Sequence, residues 1–590
     1  MIAVKTELTT DPSAPATGHV LPPKQWVQNS ADPSIVAALA KAVSVSERAA
    51  RLLVGRGITD PAAALRFLNP DLKDLPDPSL MRGLDKAALR LADAIEKKHK
   101  IALYGDYDVD GVTSTSLLAS FLHSLAIPAR TYIPQRLREG YGLNPGAIET
   151  LAGEGIELLI TLDCGITAAD EITRGNERGI ESIIVDHHRC PPELPPAFAV
   201  LNPHQEGCAY PDKGLAAVGV CFNLVVGVRR ILRERGFFAS RGIGEPNLRR
   251  LLDLVALGTI ADMVPLTGVN RILTWYGIEE LRAARRPGVR ALMEVATVRP
   301  SRVSGGDVGF KLGPRINAAG RLADADVGVR MLLSTSMDEA RPYAERLDHA
   351  NSSRQRIEAD CFEEAAAMVM AEPTVPAALV LYDEKWHPGV VGIVASKIVE
   401  RFQRPAIIIG QGGRGSARTA RGLHLYDAIS SVSGHLRKFG GHRAAAGLTI
   451  DAAAIPAFRA DLIARVEGDP GLFTGAAELF YDDEIGAEDL DHALWDEVER
   501  FAPFGNANPE PLFRMNPARI EGAKLIGKNH LKMRIRGNRG VQREAIAWKM
   551  GELEPQLYPG REIDVCLALE RGEFSGLETL ELRVKDLRLL

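Results

Sequence analysis

No stretch of this sequence approaches the roughly 18 uninterrupted apolar residues that a membrane-spanning helix needs. Cysteine is scarce: six residues among 590, at 164, 190, 208, 221, 361 and 566, and no two form a C-x-x-C pair. That argues against a zinc ribbon or a disulfide framework and fits a reducing cytoplasm. Positive charge is not in excess, with 71 Lys and Arg against 76 Asp and Glu and a formal net charge of −5. Bulk charge therefore does not point to a nucleic-acid partner, and any basic surface must be local. Internal repeats are absent. The first 26 residues, MIAVKTELTTDPSAPATGHVLPPKQW, have acids and prolines but no apolar signal core, so they read as a disordered leader.

What is present is ordinary globular material, 46% hydrophobic and 25% charged. The length favours three or four domains, each large enough for its own core. Ile101–Tyr104, Glu157–Leu162 and Ser182–Val185 read as short β-branched strands, with a helix over Thr113–Leu125, which predicts a parallel α/β sheet. Asp338–Ala371 reads as one long helix, with Pro342 in its first turn where a missing N–H costs little. A second α/β segment follows, with strands over Ala378–Leu381 and Ala406–Ile409. After about 475 the pattern turns to short strands without a long helix (HLKMRI, EAIAWKM, EIDVCLALE, TLELRVKDLRL), which suggests a small β-barrel.

The chemistry concentrates in a few acids and histidines. YGDYDVDG places Asp106, Asp108 and Asp110 at alternate positions after a strand, and alternation in an extended chain would put all three on one side. Asp163 ends a strand in TLDCG, Asp186 ends the next in IIVDHH ahead of His187 and His188, and Asp262 closes an apolar helical run in LGTIADMVPL. Taken alone, a D-x-D after a strand is usually turn or cap chemistry, and a His pair is usually structural or surface-exposed. Together and in order, at the carboxyl ends of strands where α/β sheets bind ligands, they predict one convergent site. Gathered carboxylates stay ionised when divalent cations sit among them. Carboxylate and imidazole donors without thiolate point to Mn²⁺ or Mg²⁺. Two such ions suit an in-line displacement at phosphorus.

The order GDYDVDG, LDCG, VDHH, GTIADMVPL resembles the Asp-His-His phosphoesterase superfamily. GPRINAAGRL (313–322), WHPGVVGIVASKI (386–398) and FGGH (439–442) narrow the resemblance to its single-stranded-DNA exonuclease branch. The resemblance implies a two-metal 5′-to-3′ exonuclease of DNA repair and recombination that releases mononucleotides. It implies Asp106, Asp108, Asp110, Asp163, His187 and Asp262 as metal-binding positions, with Asp106 either a ligand or a supporting residue. It places Asp110, Asp163, His187 and His188 in the catalytic set, His188 against the scissile phosphate and Asp186 behind a neighbouring histidine. Arg315, Asn317, Ser416, Arg418 and His442 are implied to hold substrate, the last three at the 5′ phosphate. Single-stranded DNA is the implied substrate, with a single-strand-binding protein and a helicase as protein partners and no membrane.

Two local charge features agree with this. Residues 414–443 hold six Arg/Lys against the single acid Asp427, and two glycine-rich turns there let backbone amides approach a phosphate. Residues 520–549 hold eight Arg/Lys against two Glu, interleaved with His530 and Trp548. Trp548 is either a stacking ring or core. PFGNANPEP (503–511) has Ala507 where the branch carries a second glycine.

The expected architecture is α/β: two α/β lobes joined by a long helix, with a C-terminal OB-type β-barrel. Its boundaries are a leader and small cap over 1–75, a parallel-sheet metal domain over 76–336, the helix over 337–374, a DHHA1-like phosphate-holding domain over 375–465, and the barrel over 475–590. A cleft between lobes would admit one strand more easily than a duplex. The rival readings are a short-oligonucleotide or cyclic-dinucleotide phosphodiesterase, for which a barrel is superfluous, and a scaffold that has lost its metals, although every expected ligand is present.

Overall fold

The computed structural model describes residues 24–135, 139–140, 142–322, 325–419, 422–468, 478–527, 529–537, 539–574 and 577–590. Most of the expected leader, and Arg421 and Lys528 of the two basic counts, lie outside them. Contacts group the chain into two units, one of Trp26–Ser353 with Phe480–Leu590, the other chiefly Arg354–Leu479. The division falls inside the long helix, which runs Met337–Met370. Among the described residues no helix is long and apolar enough to cross a membrane.

The larger unit is built on a parallel sheet in the order Ala129–Tyr132, Ile101–Gly105, Leu158–Leu162, Glu181–Val185, Ala199–Leu201. The two strands Ile101–Gly105 and Leu158–Leu162 are buried along their whole length, as helices on both faces of a parallel sheet require. The outer strands Ala129–Tyr132 and Ala199–Leu201 were not legible in the sequence, because four and three residues carry too little pattern. Gly105 lies opposite Leu162, Leu162 opposite Val185, and Val185 opposite Leu201, so the strands end level. The ladder continues one step further, with the N–H groups of Asp106, Asp163 and Asp186 donating to Leu162, Val185 and Leu201. Three acids therefore leave the sheet side by side.

The smaller unit carries a mixed sheet, ordered Leu436–Gly441, Ala445–Ile450, Arg414–Arg418, Ala406–Ile409, Leu379–Tyr382, in which only the last two strands are parallel. Its antiparallel half is rich in glycine and arginine, which conceals strand from a propensity reading. The C-terminal barrel closes through Phe513–Ile526, His530–Arg536, Gln542–Ala547, Leu577–Leu589 and Glu562–Phe574, the last pairing back onto the first. Several of these strands run to 13 or 14 residues, longer than the sequence pattern suggested, and a helix, His492–Glu499, precedes them.

The barrel is not a separable appendage. Phe501, just before it, is fully buried among the N-terminal helices Pro33–Val43, Glu47–Gly55 and Pro61–Leu68. Arg271, only 2% exposed, donates to the carbonyls of Phe67, Phe501 and Arg500 and lies 3.9 Å over the Phe67 ring. From its other side Arg56 sits 5.1 Å over Phe501 and donates to Asn508 and Pro509. Burial, with Arg56 nearby, pushes the Arg271 guanidinium down to about 9. A buried cation satisfied by carbonyls and a ring ties cap, metal domain and barrel together. In the same linker Ala507 adopts φ +57°, the left-handed region for which glycine is the usual residue.

Candidate metal centre

The acids converge, but not by strand alternation. Asp106 follows the strand, Asp108 is the N-cap of the helix Val109–Ser124, and Asp110 lies in its first turn. Asp108 Oδ1 accepts from the N–H groups of Asp110 and Gly111 at 3.0 and 3.1 Å. The capping role and the expected ligand role thus fall on one residue, a carboxylate having a second oxygen to offer. The helix begins four residues earlier than the apolar pattern implied, because caps start it. Gly111 is required here: a Cβ would lie 2.4 Å from the Asp106 carbonyl oxygen.

Asp110 is the most committed of the set. Its two carboxylate oxygens accept from Ala217 and Val218 N–H at 2.6 and 2.9 Å. These are the first donors of the helix Ala217–Glu234, whose own N-cap residue, Ala216, supplies no side-chain cap. Asp110 therefore caps that helix from another element. Asp163 turns the chain with φ +64°. Asp262 caps the C-terminus of Leu252–Ala261, and so reaches the site from a helix and not from a strand end.

Three buried ligand atoms face one another without hydrogen-bond partners: Asp163 Oδ1, His187 Nε2 and Asp262 Oδ2. His187 Nε2 lies 3.3 Å from Asp163, 3.5 Å from Asp262 and 3.9 Å from Asp110. The donor atoms form overlapping groups that can hold metal: Asp106, Asp108 and Asp163; Asp110, His187 and Asp262; Asp163, His187 and His188. Burial pushes Asp110 and Asp163 well above the usual carboxylate range, helped by Asp262 for the first and Asp108 for the second. Asp262 is raised to about 7 by burial and by Asp108. Burial lowers His187 to about 4, leaving a neutral imidazole with a lone pair. Buried like charges and an orphaned imidazole nitrogen are what divalent cations would satisfy.

His188 differs from its neighbour. Its Nδ1 lies 2.7 Å from Asp186 Oδ1, and that hydrogen bond raises it to about 9. Asp186, although burial opposes its charge, stays below the usual carboxylate range because His188 and the N–H groups of His188 and Ile166 surround it. Asn202, which the sequence reading missed, fixes the same loop by donating to the His188 carbonyl at 2.8 Å. Its signal was its place at the end of the short strand Ala199–Leu201.

Asn317 and Arg315, both expected near substrate, each have partners within the protein. Asn317 Oδ1 accepts the Val109 N–H at 3.1 Å, the first donor of the acidic helix. Arg315 pairs with Asp348 at 2.9 Å and donates to the Lys311 carbonyl. A Cβ on Gly320 would lie 2.6 Å from the Tyr107 carbonyl oxygen, so the helix Gly313–Leu322 lies directly on the acidic loop. In the smaller unit the sheet register aligns Arg418 with Ala445, and His442 N–H bonds the Ala445 carbonyl. Arg418 also donates to Ser416 Oγ at 3.0 Å, and burial lowers its guanidinium. A Cβ on Gly392 would lie 3.1 Å from Ser416 Oγ, which places that pair at the start of the helix Val391–Phe402, where no side chain caps the N-terminus.

Three family profiles match this chain: the DHH family N-terminal domain over residues 100–259, the DHHA1 domain over 376–468 and the RecJ OB domain over 481–586. The single-stranded-DNA-specific exonuclease RecJ of Dickeya dadantii is 38% identical over 562 residues, spanning 91% of this chain and 95% of that protein. The chain belongs to the RecJ family. Thermus thermophilus RecJ in complex with Mn²⁺ superposes with a TM-score of 0.79 at 30% identity, over 96% of this chain and 79% of that one. The Mg²⁺ complex of the same RecJ gives 0.74 at 29% identity, over 96% and 78%. The motif order read from the sequence thus coincides with RecJ membership along most of the chain.

Proposed function

We propose that this RecJ-family protein is a two-metal exonuclease that degrades single-stranded DNA from the 5′ end to mononucleotides in repair and recombination. The observation that carries the reading is the set of buried, partnerless ligand atoms on Asp163, His187 and Asp262. Asp106, Asp108, Asp110, Asp163, His187 and Asp262 would hold a pair of Mn²⁺ or Mg²⁺ ions. Such ions, when bound, activate water and neutralise charge at a phosphate in an in-line displacement. His188, its Nδ1 held by Asp186, presents a cationic Nε2–H to a non-bridging phosphate oxygen. Ser416, Arg418 and His442, beside an uncapped helix start, take the 5′ phosphate and set the polarity.

The barrel holds the trailing strand. Trp548 is 50% exposed, with its ring centroid 4.7 Å from that of His530, which favours the stacking role over core. Lys532 and Arg536 pair with the segment's own Glu544 and Glu521, and Arg539 pairs with Glu488 from outside it, which lowers the basic excess by one. A helicase and a single-strand-binding protein fit as partners that supply and present such a strand. End-labelled single- and double-stranded DNA, digested with either metal and the products sized, tests the reading. Mononucleotides released from the 5′ end of single strands are expected. Equal attack on duplex, internal cuts, or faster turnover of cyclic dinucleotides would overturn it.

A further inference from the structure

The structure holds one phenylalanine almost wholly in water beside the acidic site. Phe310 is 86% exposed, more than any other large hydrophobic residue described. It does not sit on a slack loop. It lies in a turn of π-helix, Val308–Leu312, whose flanking Val308 and Leu312 are fully buried. Upstream, Ser304 and Asp307 form a reciprocal capping box, and Asp307 also pairs with Lys311 at 2.7 Å. Downstream, Arg315 grips the Lys311 carbonyl at 2.7 Å.

The same turn packs on the residues that precede the acids. A Cβ on Gly313 would lie 3.1 Å from Ala261 Cβ and 3.9 Å from Val109 Cγ2, and one on Gly309 would lie 3.9 Å from Ile260. Ile260 and Ala261 lead into Asp262, and Val109 separates Asp108 from Asp110. Met263, the residue after Asp262, is itself 72% exposed with φ +60°. A rigid aromatic that burial does not claim, next to a site that takes a single strand, has an obvious ligand in an unpaired base. Every base offers a π-face, so stacking there is indifferent to sequence, as an exonuclease requires. Single-turn π-helices of this kind recur at functional sites.

We infer that Phe310 is a stacking platform for one nucleobase of the substrate strand, positioned by the π-turn at the edge of the metal site. The inference rests on the proposed exonuclease reading. Its test is a set of single-stranded oligonucleotides that differ only in the position of one abasic residue, moved a nucleotide at a time from the 5′ end. Each is cut by wild type, Phe310→Ala and Phe310→Trp under single-turnover conditions. In wild type one abasic position should lower kcat/KM roughly 5- to 100-fold, the range that loss of one stacked base spans. Phe310→Ala should lose a similar factor on the intact strand and show no further penalty at that position, while the other positions keep theirs. Phe310→Trp should behave as wild type, and the melting temperature should not move in either variant.

An unchanged abasic profile in Phe310→Ala would overturn the platform, as would unaltered kcat/KM. That is also the result expected if the ring docks a protein partner instead. A fall of several degrees in the melting temperature of Phe310→Ala would assign the ring to folding and likewise overturn it. A wild-type protein that cuts no single strand would overturn the exonuclease reading together with the platform.

Discussion

Asp262→Asn separates the electrostatic cost of the metal centre from its chemistry. In the metal-free protein this carboxyl is raised from an ordinary value of 3.8 to about 7 by burial and by Asp108. Its folded pKa exceeds its unfolded one, so folding takes up a proton. The associated stability is fully present below about pH 4 and is lost as pH rises to about 7. At 1.36 kcal/mol per unit the loss amounts to about 4 kcal/mol, an upper figure for a group that remains partly open to solvent. Asparagine keeps the shape and removes the charge. Asp262 Oδ2 has no hydrogen-bond partner to lose.

At pH 8 in EDTA the variant should therefore be more stable than wild type, by about 2–4 kcal/mol, and at pH 4.5 by no more than about 1 kcal/mol. For the larger unit of roughly 440 residues, unfolding entropy near 2.1 cal/mol/K per residue converts this to about 2–4 °C in Tm. Calorimetry at both pH values, in EDTA and in saturating Mn²⁺, reads it out. Mn²⁺ should stabilise wild type strongly at pH 8 and the variant much less, and the variant should lose turnover. Identical pH profiles of the two proteins in EDTA, or equal stabilisation by Mn²⁺, would refute the reasoning.

The remaining expectations use other parts of the molecule. Asn317→Ala should weaken Mn²⁺ binding about 10-fold by releasing the Val109 N–H, and Asn317→Asp, which keeps the acceptor, should restore most of it in titration calorimetry. Asp110→Ala should be about 1–2 kcal/mol less stable than Asp110→Asn in EDTA at pH 8, because both remove the buried charge but only asparagine keeps an acceptor for the start of the helix Ala217–Glu234; equal Tm values for the two variants would contradict the capping role. Ala507→Gly should raise the stability of the larger unit by about 0.5–1 kcal/mol in urea denaturation, since it relieves a left-handed alanine. Trp548→Ala should weaken binding of long single strands, measured with catalysis blocked by Asp262→Asn, by about 1–3 kcal/mol with an unchanged salt slope, because stacking and not charge is removed.

The sequence by itself determined which acids and histidines converge on one site. Acids at strand ends, a DHH triplet and an acid closing an apolar helix are local features, each written within ten residues. Their order along the chain already specified a parallel sheet with one ligand-binding edge. The strands Ile101–Gly105 and Leu158–Leu162 were equally legible, because burial on both faces demands continuous apolar runs.

Tertiary structure alone decided how those residues divide their duties. Asp110 caps a helix that starts 107 residues later, and Asn317 caps the acidic helix from 208 residues away. No local pattern records either bond, since partner choice depends on how the helices pack. For the same reason no local pattern records that Arg271 and Phe501 bind the segment leading into the barrel to the cap and the metal domain. An arginine among apolar neighbours looks like a surface charge until three carbonyls from two distant segments are seen to converge on it. The exposure of Phe310 belongs here too. Hydrophobicity alone would have assigned that ring to a core, and only the packing of Val308 and Leu312 on either side shows that it is turned outward.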